Sequence, residues 1–229
     1  PLTPRLRSRE GTTLMPTPVD RKLRAVQLAK DCRDLGARAR TIHHVTGLPK
    51  PELKRLLFPD SKSLPRGRAP NSPEWYHGAN LLYRAESSIF ASVYRRLRKS
   101  GFSAGQTLVS GYRHYRSVCD CLSRISFDRA FDLASHTDGI WVAKDSVFTI
   151  ATCSVCGCEF LAAQGSAPSS SDDCPFCQLV KRYSCDQRVQ TSFPPRSLDN
   201  PFDVQLSVMA IVCPGHQHPH GANGETRPQ

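Results

Sequence analysis

Two cysteine pairs, Cys153-Ser154-Val155-Cys156 and Cys174-Pro175-Phe176-Cys177, stand 17 residues apart in the C-terminal half of the chain. A CxxC turn aims two sulfurs at one point, and a second such turn completes a tetrahedral S4 cage. Zn²⁺ has no redox chemistry and no d-electron geometry to satisfy, so four thiolates at about 2.3 Å suit it. The gap between the pairs falls inside the ~15–20 residue window of four-cysteine zinc sites. Such a closed site leaves no open coordination position, so one zinc ion here stabilises a fold and activates no water. Three rivals compete with this reading. Cys158 is an alternative to Cys156, although it then falls on the outgoing strand. A disulfide framework is a second, weakened by the lack of any exported-precursor pattern. A thioredoxin-like pair is a third, weakened by the presence of two pairs and no βαβ context.

The elements that must hold the cysteines are legible around them. Val147 to Thr152 is a β-branched and aromatic run leading into the first pair. Gly157 can release the turn with positive φ, and Cys158-Glu159-Phe160-Leu161 leads out. This predicts a hairpin with a metal turn at its tip. The segment from Gln164 to Asp173, rich in Ser, Ala and Gly, reads as an excursion before the second turn.

A closed metal site leaves function to the rest of the chain, and charge points to where. Residues 1–100 hold 21 Lys/Arg against 8 Asp/Glu, and residues 101–229 hold 10 against 12, so the net +11 resides in the N-terminal half. That asymmetry is the footprint of a polyanion binder, with an ordinary solvated basic surface as the alternative. Ten cysteines with a metal fit a reducing cytoplasm. No apolar run approaches the ~18 residues of a membrane span.

The periodicity predicts a mainly α protein in four parts. Residues 1–19, with four prolines and Arg5, Arg7 and Arg9, read as a disordered basic arm. Residues 20–144 read as a helical domain and candidate DNA binder, 145–185 as a zinc-ribbon-like module, and 186–229 as an irregular or disordered tail. Within the helical part, Asp20 is a candidate N-cap for a helix with Leu23, Val26, Ala29 and Cys32 on one face. A short helix follows over about 37–44, and a third opens at Leu48-Pro49. Ser72-Pro73-Glu74 starts a helix predicted to run to Lys99, with Gly101 stopping it. Further helices start at Ser103 and at Ser126, the latter reaching Trp141.

Residues 39–58 read as a helix-turn-helix about Gly47. Ile42 and Leu48 flank the turn, and Leu53 and Leu56 pack the second helix on the first. The exposed side then carries Lys50, Glu52, Lys54 and Arg55, side chains able to reach phosphates or base edges. His43 stands where a small residue is usual, and Pro49 and Pro51 are tolerable only in a first turn. An ordinary helical hairpin is the rival. Lys50, Lys54 and Arg55, with Arg66 and Arg68 of the following Pro/Gly loop, are the candidate DNA contacts.

No catalytic set is apparent: there is no phosphate-cradling glycine loop, no GxSxG and no HExxH. Asp128 and Asp132 share a helix face, which alone makes no acid–base pair. His43 and His44 point about 100° apart on a helix and cannot easily share an ion. Cys213, His216, His218 and His220 lack a folded frame.

The chain resembles the FlhC family, the zinc-containing subunit of the bacterial flagellar master transcriptional activator. The resemblance is carried by Leu35-Gly36-Ala37-Arg38, the Gly47-Leu48 turn with Leu53-Lys54-Arg55-Leu56, and Pro65-Arg66-Gly67 leading to Ser72-Pro73-Glu74-Trp75. It continues through Gly111-Tyr112-Arg113-His114-Tyr115 and the cysteine quartet, spanning about residues 22–180. It implies a DNA-binding activator acting at double-stranded promoter DNA with an FlhD-type partner, in a heterohexamer that recruits RNA polymerase, without a membrane. It also implies Cys153, Cys156, Cys174 and Cys177 as the zinc ligands. The basic arm, the tail after about residue 185 and the Cys119–Cys121 stretch depart from the shorter family members. An FlhC-like activator of a conjugative element's transfer genes, or a zinc-stabilised protein–protein adaptor, are the alternatives.

Overall fold

Thr17 opens the helical run. Its hydroxyl accepts from the Asp20 backbone N–H at 3.1 Å, and the Asp20 carboxylate accepts from the Thr17 N–H at 3.1 Å. This reciprocal capping box, with Pro18 in the first turn, starts α1 (Pro18–Asp34). Asp20 therefore serves inside the first turn and Thr17 is the cap. The computed structural model describes residues 17–59, 72–119, 123–165 and 174–192. The arm before Thr17, the loop bearing Arg66 and Arg68, and the tail with Cys213 and its histidines lie outside the described residues.

The apolar stripe expected on α1 is only partly buried. Ala29 and Cys32 are sealed in the core, whereas Leu23 is 67% exposed. A three-residue spacing slips about 60° per step against an α-helix, so Leu23 and Cys32 end on opposite faces. Then come α2 (Ala39–Thr46) and α3 (Lys50–Leu57), joined through Gly47 in the left-handed region at φ 72°.

The helix predicted to run unbroken from Ser72 to Lys99 is two helices. The Ser72 hydroxyl accepts from Glu74 N–H at 3.1 Å, starting the short α4 (Glu74–His77). Asn80 then caps a fresh start, its side chain accepting from Tyr83 N–H at 3.1 Å. The 19-residue α5 (Leu81–Lys99) follows and ends before Gly101, at φ 88°. Gly78 and the Asn80 cap supply the break that apolar spacing alone conceals.

Helix α6 (Ala104–Cys119) buries Leu108, Tyr112 and Tyr115 as the periodicity requires. Ser126 caps α7 (Phe127–Asp138), which stops at Gly139 in the left-handed region rather than reaching Trp141. Trp141 instead folds back to stack on Phe131, ring centroids 5.1 Å apart.

The hairpin pairs β1 (Phe148–Thr152) with β2 (Glu159–Ala163) antiparallel, Ile150 opposite Leu161. Two helices absent from the sequence reading follow, α8 (Pro175–Tyr183) and α9 (Gln187–Ser192). The architecture is thus mainly helical with a small zinc-ribbon-like hairpin near its C-terminal end. One apolar core runs from Ala29 and Cys32 through Phe90, Tyr94, Leu108 and Leu133 to Phe148 and Leu161 of the hairpin. Among the described residues, no helix is long and apolar enough to cross a membrane.

Candidate metal centre and basic helix pair

The first CxxC forms a knuckle at the tip of the hairpin. Cys153 N–H donates to the Cys158 carbonyl, and Gly157 N–H donates to the Cys153 carbonyl, each at 2.9 Å. Gly157, at φ 72°, takes the left-handed turn that lets the strand resume at Glu159. The second pair is built differently. Cys174 is the N-cap of α8, Pro175 occupies its first turn, and Cys177 lies one turn in. The positive end of a helix faces this pair, which favours thiolates.

The two knuckles bring four sulfurs together. Cys153 Sγ lies 3.7 Å from Cys177 Sγ, and Cys156 Sγ lies 3.7 Å from Cys174 Sγ. All four ligand atoms fall within 4.8 Å of one another. These are free thiols, since an S–S bond would be about 2.05 Å. A tetrahedral ion with metal–sulfur bonds of about 2.3 Å would set its ligands about 3.8 Å apart, so the donor set fits a metal ion. Cys158 stays out of this cluster and packs in the main core, leaving Cys156 as the fourth sulfur.

The protons of the quartet leave unequally. Burial acts to raise Cys153, but backbone N–H groups at Cys156 and Val155 and the thiols of Cys156 and Cys177 bring it down to about 7. Burial pushes Cys174 up to about 11 despite N–H groups at Cys177 and Phe176. Four thiolates in so small a space repel one another, and a divalent cation is the natural counter-charge.

Glu159, immediately after the knuckle, anchors it to the helical body. Its carboxylate accepts from the Ser92 hydroxyl at 2.5 Å and pairs with Arg95 and, at 3.3 Å, with Arg96. Burial would raise the Glu159 carboxyl, but the Ser92 hydroxyl and the two guanidiniums hold it below the usual glutamate value. Arg95 and Arg96, near the C-terminal end of α5, thus fasten the hairpin to the helical body. Tyr76 adds a second tie, donating to the Leu161 carbonyl at 2.7 Å, and Ser88 a third, accepting from Leu161 N–H at 3.1 Å. These ties are invisible to local spacing, because their partners lie 63 to 85 residues apart.

The helix pair about Gly47 has the predicted shape with two changes. Ile42, Leu48 and Leu53 are buried, but the packing leucine at the end of α3 is Leu57, while Leu56 is 45% exposed. Leu57 falls four residues after Leu53, on the same helical face, whereas Leu56 lies about 300° round from it. Glu52, expected on the outer face, is half-buried and pairs with Lys22 of α1 at 3.1 Å. Lys50, Lys54 and Arg55 are exposed, as expected. Pro49 and Pro51 fall at the cap and in the first turn, where their missing N–H groups cost nothing.

His43 has a structural task. Its Nδ1 donates to the Leu48 carbonyl at 2.8 Å, closing the turn across the position where a small residue is usual. His44 stacks on Phe131 of α7, centroids 6.1 Å apart. Burial lowers the His44 pKa first, with His43, Arg40 and Lys50 adding to it. Neither histidine belongs to a metal cluster among the described residues.

Similarity to known proteins agrees with this geometry. The family model described as "Flagellar transcriptional activator (FlhC)" matches residues 17–190. The chain is 26% identical over 195 residues to a flagellar transcriptional regulator FlhC of Cupriavidus metallidurans, covering 82% of this chain and 85% of that protein. It is 26% identical over 195 residues to the Proteus mirabilis FlhC, covering 82% and 92%. It is 29% identical over 164 residues to the Xenorhabdus nematophila FlhC, covering 69% and 80%. With the match running from the first capped helix through the cysteine quartet to α9, the chain belongs to the FlhC family of flagellar transcriptional activators.

Proposed function

We propose that this chain is a DNA-binding activator subunit that works with an FlhD-type partner to switch on flagellar operons from the cytoplasm. The observation that carries the reading is the outer face of α3, where Lys50, Lys54 and Arg55 stand exposed on the second helix of a turn-linked pair. Lys50 and Lys54 are four residues apart and share a face, so both can meet one DNA groove. The loop cations Arg66 and Arg68 join them in this proposal. The N-terminal basic excess supports a phosphate-dominated affinity.

The division of labour follows the chain. Residues 20–144 bind DNA and partner, and residues 145–185 form a module held by one structural Zn²⁺ on Cys153, Cys156, Cys174 and Cys177. Zinc suits an all-thiolate tetrahedral donor set better than hard cations do. When bound, it locks β1, β2 and the start of α8 together, and with four protein ligands it offers no site for chemistry. A heterohexamer with the partner, and contact with RNA polymerase, are the assembly the family resemblance supports.

Footprinting the full chain at a flagellar operon, with and without the partner, tests the reading. Protection of a defined upstream segment that strengthens with the partner and fades with salt is the expected result. Normal partner assembly with no protected segment at any salt would instead identify an adaptor.

A further inference from the structure

Most half-buried arginines of the described residues are neutralised by carboxylates. Arg38 pairs with Asp128, Arg95 and Arg96 with Glu159, Arg98 with Asp138, and Arg124 with Glu86. Arg129 departs from this pattern. Its guanidinium carbon lies 4.9 Å from the centre of the Trp75 ring and 5.0 Å from the centre of the Tyr83 ring. No carboxylate pairs with it among the described residues, and none of its nitrogens is sealed from solvent without a partner.

The rings are themselves held. The Trp75 indole N–H donates to Asp132 at 2.7 Å, and Asp132 is 1% exposed, so the indole is fixed from below. Tyr83 is in the first turn of α5, where its N–H is bound by the Asn80 cap. Aromatic faces attract a guanidinium without using its N–H groups, so the charge is positioned while all its donors stay available. This is what recognition of a planar-edged oxyanion needs.

Arg129 sits next to a tie between α7 and the basic helix pair. Asp128, the neighbour of Arg129, accepts from the Thr41 hydroxyl at 2.6 Å and from Arg38 N–H at 3.2 Å, docking the start of α7 on the start of α2. Arg129 thus rides on the helix that supports the basic helix pair. We propose that Arg129, posed by Trp75 and Tyr83, grips a backbone phosphate of the bound DNA. The inference rests on the DNA-binding reading above and adds a contact outside the helix-turn-helix.

The test measures affinity for a labelled flagellar-operon duplex and for a scrambled duplex of equal length, over a range of salt, using the full chain with its partner. Arg129→Ala is expected to weaken both duplexes equally, by about tenfold, and to reduce the salt slope by about one, as loss of one phosphate contact requires. Arg129→Lys keeps the charge but loses the planar fork, and Tyr83→Leu removes one ring. Each is expected to lose several-fold in affinity while keeping most of the slope. Zinc content and thermal midpoint report folding. If Arg129→Ala does not fold, Arg129→Lys and Tyr83→Leu decide the matter. Parental affinity and slope in the Arg129 variants, with Lys54→Ala still weakened, would overturn the Arg129 contact and leave the DNA-binding reading standing. Loss of partner assembly with unchanged duplex binding would also overturn it, by assigning Arg129 to a protein interface. A parent complex with no salt-dependent duplex binding would remove both.

Discussion

Thr41 donates its hydroxyl hydrogen to Asp128 at 2.6 Å, linking the first turn of α2 to the first turn of α7 across 87 residues of chain. Arg38 is the α2 N-cap and has no side-chain cap bond of its own. Asp128 fills that role from outside, taking the Arg38 N–H as well as its guanidinium. The carboxylate is 3% exposed, so removing it takes the counter-charge from the half-buried Arg38 and a partner from the buried Thr41 hydroxyl. Asp128→Ala should destabilise the fold by about 3–5 kcal/mol, the usual cost of breaking a buried pair. Chemical denaturation of parent and variant measures this directly.

Two leucines of α3, three residues apart, should behave differently. Leu53 is fully buried and Leu56 is 45% exposed. Leu53→Ala is expected to cost about 2–5 kcal/mol, and Leu56→Ala about 0.5 kcal/mol or less. Equal losses in the unfolding curves would mean that Leu56 also packs in the helix pair.

Metal content should follow the quartet and ignore the fifth nearby cysteine. Serine at Cys153, Cys156, Cys174 or Cys177 should leave substoichiometric zinc by atomic absorption and lower the unfolding midpoint, because metal binding contributes directly to folding. Cys158→Ala, which lies outside the four-sulfur cluster, should retain one zinc per chain. Retention of full zinc by Cys156→Ser with loss by Cys158→Ala would exchange their roles.

Acid should erase the contribution of Glu159. Its folded-state pKa is held below the ordinary value of 4.5, so the stabilisation is present above that value and is lost as pH falls through the lower folded one. Glu159→Gln should therefore melt earlier than the parent at neutral pH, and the gap should close as pH drops below about 4.5. A gap of constant size down to acid pH would mean that Ser92, Arg95 and Arg96 do not depend on the charge.

Lys54→Ala combined with Arg55→Ala should weaken DNA binding at least tenfold and flatten its salt dependence, while partner assembly and zinc content stay intact. Gel-filtration of the complex alongside a binding isotherm separates the two outcomes. Undiminished affinity would move the DNA contact elsewhere on the basic half.

Much of the candidate site lies in short stretches and is legible there. The CxxC spacing, Gly157 after the first pair, and the Gly47 turn each depend on residues within a few positions of one another. Local spacing missed α8, although Cys174 as cap, Pro175 in the first turn and Lys181 and Arg182 in the last are ordinary helix signals. The two signals overlap, because Cys174 belongs to the sulfur quartet and also caps the helix. The break at Gly78–Asn80 was hidden because the apolar stripe resumes in nearly the same phase on either side.

Spacing, periodicity and charge are properties of near neighbours, and they already carry the four-sulfur ligand pattern, the helical character of the body and the basic half. Packing settled that Cys156 rather than Cys158 joins the quartet and that Leu57 rather than Leu56 is buried. It also decided that Arg95 and Arg96 hold Glu159 while Arg129 keeps its donors free between two rings. Those assignments depend on which groups meet across tens of residues, and burial and pairing energies are settled only where distant elements pack.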